Sequence, residues 1–288
     1  MPSFAVSICV LSLVQAGLVA LPAANPFPWL ARLRGPGWAV IPAGSIVVVI
    51  LVLRVAAGVA VGLTYLALVA VPLLAALTLA VAARGARPVF ALAAVPLFAL
   101  AWADRTGLAG QSAALALSAL SCVALGTLLA AVAPARWLKL GIVVMAIVDV
   151  WFVVSHLLQA PNNVLNAAAP AAGLPQLQDA VWGHAVMGYG DLFIAGTLGA
   201  VLAGDRLRQR RGAWLAGGLA LAFNLLFFWV NELPATVPFA VTLIVLELGD
   251  RRAARRLAGR ARARSSGPAR VGASTRLASA EEDLGSRV

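Results

Sequence analysis

Apolar runs alternate along this chain with short clusters of Arg, Pro, Gly and Asn, and the runs are hydrophobic all round instead of along one stripe. A crossing of the bilayer needs about 20 predominantly apolar residues in helical form. On that basis the pattern predicts nine crossings, near residues 4–22, 38–53, 56–83, 88–103, 109–133, 138–159, 183–203, 212–231 and 234–249. The second and fourth are the shortest, and Arg54 is placed to snorkel to an interface between the second and third. No run is long enough to fold separately, and no repeat of fixed period is visible. The expected fold class is therefore all-α, a polytopic transmembrane helical bundle over residues 1–249. Its N-terminal spans occupy 1–133 and a second group occupies 138–249.

Composition agrees with that reading. Hydrophobic residues make up 62% of the chain and charged ones 11%, with a mean hydropathy of +0.93, far from the balance of a soluble domain. The net charge of +11 lies in loops and in the C-terminal tail, as a membrane protein distributes it, so a nucleic-acid partner is not expected. Arg32 and Arg34, Arg84 and Arg87, Arg136 and Lys139, the four arginines from Arg206 to Arg211, and the tail all fall on one side of a nine-span arrangement. The opposite side holds only Arg54 and Arg105. The positive-inside rule then places the N-terminus outside and the C-terminus in the cytoplasm. Lys139 is the sole lysine, and the preference for arginine and alanine points to a GC-rich bacterial genome and hence to a bacterial cytoplasmic membrane. Residues 250–288 are rich in Arg, Ala, Ser and Gly and are expected to be a disordered basic tail. The run from Phe4 to Leu21 ends in Leu-Pro-Ala-Ala, but no positive residue precedes it, so it reads as a retained first span. Cys9 and Cys122 lie far apart in apolar runs and offer neither a disulfide framework nor metal-ligand spacing.

Few ionisable groups fall inside the predicted spans. Asp149 lies near the middle of the sixth and Asp191 in the seventh, whereas Glu232 and Glu247 sit near span ends. An aspartate at the centre of a span costs roughly 2.5–3.5 kcal/mol on insertion scales and needs a partner or a cavity. At a rise of about 1.5 Å per residue, Asp149 is roughly 15 Å into its helix from the cytoplasmic side and Asp191 roughly 12 Å into the next from the other side. Adjacent antiparallel helices thus bring the two carboxylates to similar depth. Two carboxylates at close range in a low dielectric tend to share one proton, leaving a base able to activate water and an acid able to protonate a carbonyl oxygen. That is the equipment for peptide hydrolysis without a covalent intermediate. Gly188 and Gly190 flank the second aspartate closely and allow another backbone to approach it.

Three features occur in order: an Asp in the sixth span, Gly188-Tyr189-Gly190-Asp191 in the seventh, and Pro234-Ala235 opening the ninth. This set resembles the GxGD intramembrane aspartyl proteases, the presenilin and signal peptide peptidase family, over roughly residues 138–249. The resemblance implies catalytic roles for Asp149 and Asp191, and a substrate-binding or site-shaping role for Gly188, Tyr189, Gly190, Pro234 and Ala235. It implies no cofactor, and transmembrane segments of other membrane proteins as substrates. The chain departs from the family pattern at Val148, where Tyr is usual, and at Thr236, where Leu is usual. Its deduced orientation is that of the signal peptide peptidase branch.

Pro234 and Pro238 also have a physical reading of their own. They lack N–H donors and break regular helix, leaving backbone groups that can line a cavity or pair with an extended peptide. His156 and His184 each lie seven residues from an aspartate, which permits a metal site in principle. No His-x3-His or Cys cluster supports one, and hydrogen-bonded or water-facing histidines are the expectation. Asn224 and Asn231 read as inter-helix hydrogen-bonding groups. Two alternatives to proteolysis stay open: a proton- or ion-coupled transporter that uses the aspartates as carriers, and a catalytically inactive membrane protein of the same fold.

Overall fold

Ala and Leu dominate the apolar runs and favour helix, and within a bilayer each backbone N–H and C=O must be satisfied inside its own segment. The computed structural model describes residues 3–41, 44, 48, 57–155, 173–226 and 233–265, and the chain divides into two units, Met1–Leu243 and Ile244–Val288. In chain order, the described residues form α1 (Phe4–Ala20) and 3₁₀ turns at Pro28–Leu33 and Pro36–Val40. Next comes α2 (Ala57–Leu77), which runs into a π-helical stretch at Thr78–Ala82. A 3₁₀ turn at Pro88–Ala93 leads into α3 (Ala94–Ala103), followed by α4 (Leu108–Val132) and α5 (Ala135–Val154). A hairpin of β1 (Asp179–Trp182) and β2 (Ala185–Gly188) precedes α6 (Tyr189–Leu202), α7 (Arg206–Leu225) and α8 (Val237–Ser265).

Among the described residues three helices are long and apolar enough to cross a membrane: Val61–Ala82, Leu108–Val132 and Ala135–Val154. Phe4–Ala20, Pro88–Ala103 and Tyr189–Leu202 are shorter apolar helices. The outer faces of Val61–Ala82 and Ala135–Val154 carry large apolar side chains in the open, such as Leu73, Ile147, Trp151 and Val154. A soluble monomer rarely leaves so much apolar surface exposed, whereas hydrocarbon accepts it.

α4 lies at the centre, packing against α2, α3 and α6. Val71 and Ala75 of α2, Ala94 and Ala101 of α3, and Ala113 and Leu117 of α4 form one buried cluster with Leu177. Thr78 ties the π-helical stretch to α4 by donating its hydroxyl to the Leu120 carbonyl at 2.6 Å. Asp104 caps the start of α4, accepting the N–H groups of Gly107 at 3.1 Å and Gly110 at 3.2 Å. Small residues let α6 sit between α4 and α1. A Cβ at Gly196 would come within 2.6 Å of the Cys122 carbonyl oxygen, and one at Gly199 within 2.6 Å of the Leu18 and Val19 carbonyl oxygens. These are backbone-to-backbone approaches of the kind that small residues permit between membrane helices.

The far end of α6 is held by a polar clamp. Gln209, fully buried at the start of α7, donates to the carbonyls of Pro22 at 3.0 Å and Gly199 at 3.2 Å. It accepts from Arg84, whose guanidinium also reaches the Ala203 carbonyl at 2.7 Å. Pro22 and Ala83 form a backbone bridge beside it. Arg84, expected only as a loop charge, thus joins the ends of α1, α6 and α7. Asn224 donates to Ser12 at 3.0 Å, an inter-helix bond between α7 and α1.

Several expected boundaries shift. The seventh span was expected to be helical from residue 183, but its helix begins at Tyr189, because residues 179–188 form the hairpin. A short apolar run is ambiguous between strand and helix. Here Gly183, at φ +61°, supplies a turn, and burial alternates along Ala185–Gly188. The eighth helix begins earlier than expected, at Arg206, where Asp205 caps it by accepting from Leu207 and Arg208. The ninth begins at Val237 and does not stop at 249. It continues to Ser265, so residues 250–265 of the expected disordered tail are helical. Arg, Ala and Leu are among the best helix formers, and an exposed face needs no apolar stripe to remain helical once nucleated. Most of the expected second span, the end of the sixth, Asn231, Glu232, His156 and residues 266–288 lie outside the described residues.

Replacing Gly196 by Ala is expected to destabilise the protein by about 1–3 kcal/mol, since neither neighbouring backbone can yield easily. Gly218→Ala on α7, where an added Cβ meets nothing within 4 Å, should be neutral or stabilising by up to about 1 kcal/mol. Unfolding of the two variants in detergent micelles measures the contrast.

Candidate functional site

Asp149 belongs to the inward stripe of α5. The buried positions of that helix are Leu138, Ile142, Met145 and Ala146, and a step of three or four residues carries the same face to Asp149. The carboxylate is half-buried and does not share the exposed face of Ile147, Trp151 and Val154. Its Oδ2 accepts two hydrogen bonds from one residue: the Thr236 hydroxyl at 2.7 Å and the Thr236 backbone N–H at 3.2 Å.

Thr236 is delivered to that position by the turn before α8. The Pro234 carbonyl accepts from Val237 N–H at 3.2 Å, and the Thr236 carbonyl accepts from Phe239 and Ala240 as the helix starts. Pro234 and Ala235 therefore form a closed turn in which the Pro234 carbonyl is occupied. Thr236 itself is buried. The departure from the family pattern is the residue that binds the first aspartate.

Asp191 lies in the first turn of α6, not two turns inside a longer helix. Gly188 is the residue that caps this helix, and the Asp191 carboxylate accepts the Gly188 backbone N–H. An acidic side chain at the third helical position reaching back to the cap is the acceptor half of a capping box. A Cβ at Gly188 would stand 3.4 Å from Asp191 Oδ2, whereas one at Gly190 would meet nothing within 4 Å. Gly190 is exposed, with open space where a side chain would stand. Tyr189 turns the other way. Its hydroxyl is 2.6 Å from Ser121 Oγ, its carbonyl accepts from Cys122 Sγ at 3.8 Å, and its ring packs against the α2–α4 cluster.

The hairpin sets where α6 begins. Its tip is fastened to the starts of α4 and α1: Trp182 donates to Ser112 at 2.9 Å, Gly183 N–H to Gln111 at 2.8 Å and His184 N–H to Ser7 at 3.2 Å. His184 is consequently an exposed turn residue, not a group on a helical face shared with Asp191. Pairing runs Trp182 with Ala185, Val181 with Val186, Ala180 with Met187 and Asp179 with Gly188. Antiparallel pairs alternate between bonded and non-bonded, so a two-residue turn that bonds Trp182 to Ala185 leaves Val186 and Gly188 with backbone groups on the outer edge. The Gly188 N–H that reaches Asp191 is one of these.

α5 and α6 pack against each other, and Asp149 and Asp191 are close enough for their charges to act on one another. The structure thus brings together Asp149, Asp191, Gly188 and the Pro234–Thr236 turn, and sends the Tyr189 side chain into the core. Among the described residues, no three His, Cys, Asp or Glu side chains are grouped as a metal ion would require. No family model, curated protein or solved structure matches the chain.

Sequence reasoning missed two residues here. Thr236 was read only as a substitution in a motif; a threonine at a helix start, where side-chain oxygens commonly bond nearby groups, was the available signal. Asp179 falls between the expected sixth and seventh spans and carried no signal of its own. It sits across from Gly188 in the hairpin, and burial pushes its carboxyl up to about 6. A carboxyl raised in the folded state gives stability that is complete below its unfolded value of about 4 and is lost as pH rises through about 6. The hairpin should therefore be ~1–3 kcal/mol more stable at about pH 4 than at about pH 7.5. Amide exchange over Ala180–Met187, corrected for its intrinsic pH dependence, measures this, and Asp179→Asn should abolish the difference.

Proposed function

We propose that this chain is a nine-span intramembrane aspartyl protease of the GxGD type, hydrolysing peptide bonds within transmembrane segments of other proteins. The observation that carries the reading is the hydrogen-bonded contact of the Pro234-Ala235-Thr236 turn with Asp149, with Asp191 in electrostatic range on the adjacent helix. Three parts of the chain far apart in sequence, and singled out there for one chemistry, meet at one place. The shorter apolar helices Phe4–Ala20, Pro88–Ala103 and Tyr189–Leu202 count as crossings in this reading, with the N-terminus outside and the C-terminus in the cytoplasm.

The chemistry follows from the pair. One carboxylate takes a proton from a water as its oxygen attacks the scissile carbonyl carbon, and the other carboxyl protonates the carbonyl oxygen. The resulting diol collapses as the amide nitrogen is protonated and the C–N bond breaks. Because a helical carbonyl is shielded by its own hydrogen bonds, a substrate helix must unwind before attack. The edge of β2 opposite β1, which includes Val186, is where an extended peptide would add as a strand, just before Asp191. The open space beside Gly190 leaves room for that peptide to approach.

One specific observation favours a catalytically silent protein instead. Both carboxylates already hold intramolecular bonds, Asp191 with Gly188 and Asp149 with Thr236. Cleavage decides between the readings. The chain reconstituted in liposomes with a panel of single-span substrates is expected to cleave at least one. Asp149→Ala and Asp191→Ala should each slow cleavage by on the order of 1,000-fold or more. Unimpaired cleavage by either variant refutes the dyad, and a wild-type chain inert toward the whole panel favours the silent protein.

A further inference from the structure

Two carboxyls that share one proton are chemically alike until their surroundings differ, and here they differ. Asp149 Oδ2 takes two donors from Thr236, at 2.7 and 3.2 Å. Of these, the backbone N–H can only donate, so it marks Oδ2 as an acceptor whatever the hydroxyl does. Thr236 is 4% exposed, so water does not readily replace its donors. Asp191 receives the Gly188 N–H and, among the described residues, no hydroxyl donor. Hydrogen bonds from the protein to a carboxylate favour its charged form.

We propose that Thr236 is a positioning residue that keeps Asp149 ionised, which makes Asp149 the general base toward water and Asp191 the general acid toward the carbonyl oxygen. The assignment rests on the protease reading for its chemistry, but not for the location of the proton. One effect opposes it: Asp191 lies in the first turn of α6, where the helix dipole favours a negative charge. That effect changes proton affinity about two- to fivefold, whereas a hydrogen bond to a charged group changes it about 10- to 100-fold. The Thr236 hydroxyl prevails. The charge acting on Asp191 from a neighbouring helix is Asp149 itself, so each group's proton state follows the other's.

The cycle balances. Asp149 carboxylate removes a proton from water while the water oxygen bonds to the scissile carbon, and Asp191 gives its proton to the carbonyl oxygen. Asp149 then passes its new proton to the amide nitrogen as the C–N bond breaks. Asp191 carboxylate takes a proton from the diol, which leaves as the carboxylic acid. Both groups are back where they began.

The test separates the donor from the bulk of the side chain. Thr236→Val keeps the shape and the backbone N–H but removes the hydroxyl, and Thr236→Ser restores it. With a cleaved single-span substrate in liposomes, Thr236→Val is expected to lower kcat about 10- to 100-fold, with KM changed less than about twofold. Thr236→Ser should return kcat to within about threefold of wild type. Equal kcat for Val and wild type, or equal loss for Val and Ser, overturns the proposal.

A second measurement does not depend on cleavage. Infrared spectra of full-length protein carrying one ¹³C-carboxyl aspartate, at position 149 or at position 191, are compared with those of unlabelled protein, so that neither partner is removed. The expected result is an isotope-shifted carboxylate band for position 149 and an isotope-shifted carboxylic-acid band for position 191. The reverse pattern overturns the assignment. The expected pattern in a chain that cleaves nothing upholds the proton's location and removes the protease reading alone.

Discussion

The arrangement depends on how closely α6 approaches its neighbours. At Gly196 its backbone meets that of α4, and at Gly199 that of α1, with no side chain between them. In a bilayer, helices do not associate to escape water, so close packing and inter-helix hydrogen bonds must hold them together. Asp191 stands at the start of this embedded helix. Its position is therefore inherited from glycines about one and a half and two turns away, from the hairpin fastened to α1 and α4, and from the Arg84–Gln209 clamp at the other end. No residue touching the carboxylate sets its location alone.

Asp149 is positioned differently. α5 buries only a narrow stripe and presents Ile147, Trp151 and Val154 outward. What fixes its carboxylate is the Thr236 pair of bonds, supplied by a turn that Pro234 closes. The positions of the two carboxylates thus differ in origin. One is set by packing of small residues, the other by two hydrogen bonds to a single side chain and its own amide.

What the sequence could disclose follows from the same distinction. The apolar runs of α1, α2, α4 and α5 were legible because nearly every residue in them is hydrophobic, and their limits fall at prolines, glycines and arginines that interrupt helix or require water. The pairing of Asp149 with Asp191 was legible because charges are so rare in the spans. The hairpin was not, since Ala180–Met187 is as apolar as a span and its period of two is carried by only a few residues. The helical continuation to Ser265 was hidden for the opposite reason, as its residues favour helix without any apolar stripe. Thr236 was illegible as a partner because the bond spans 87 positions in sequence, and only the fold brings that turn against α5.

The contrast between the two helices has a mechanical side. α6 is a stator, gripped at both ends and along its length, while α5 presents a broad apolar face outward and is coupled to the site through the Thr236 turn. Movement that opens or closes the space between the carboxylates then costs least if it belongs to Asp149's side. What holds that side is a single threonine, through its hydroxyl and its amide.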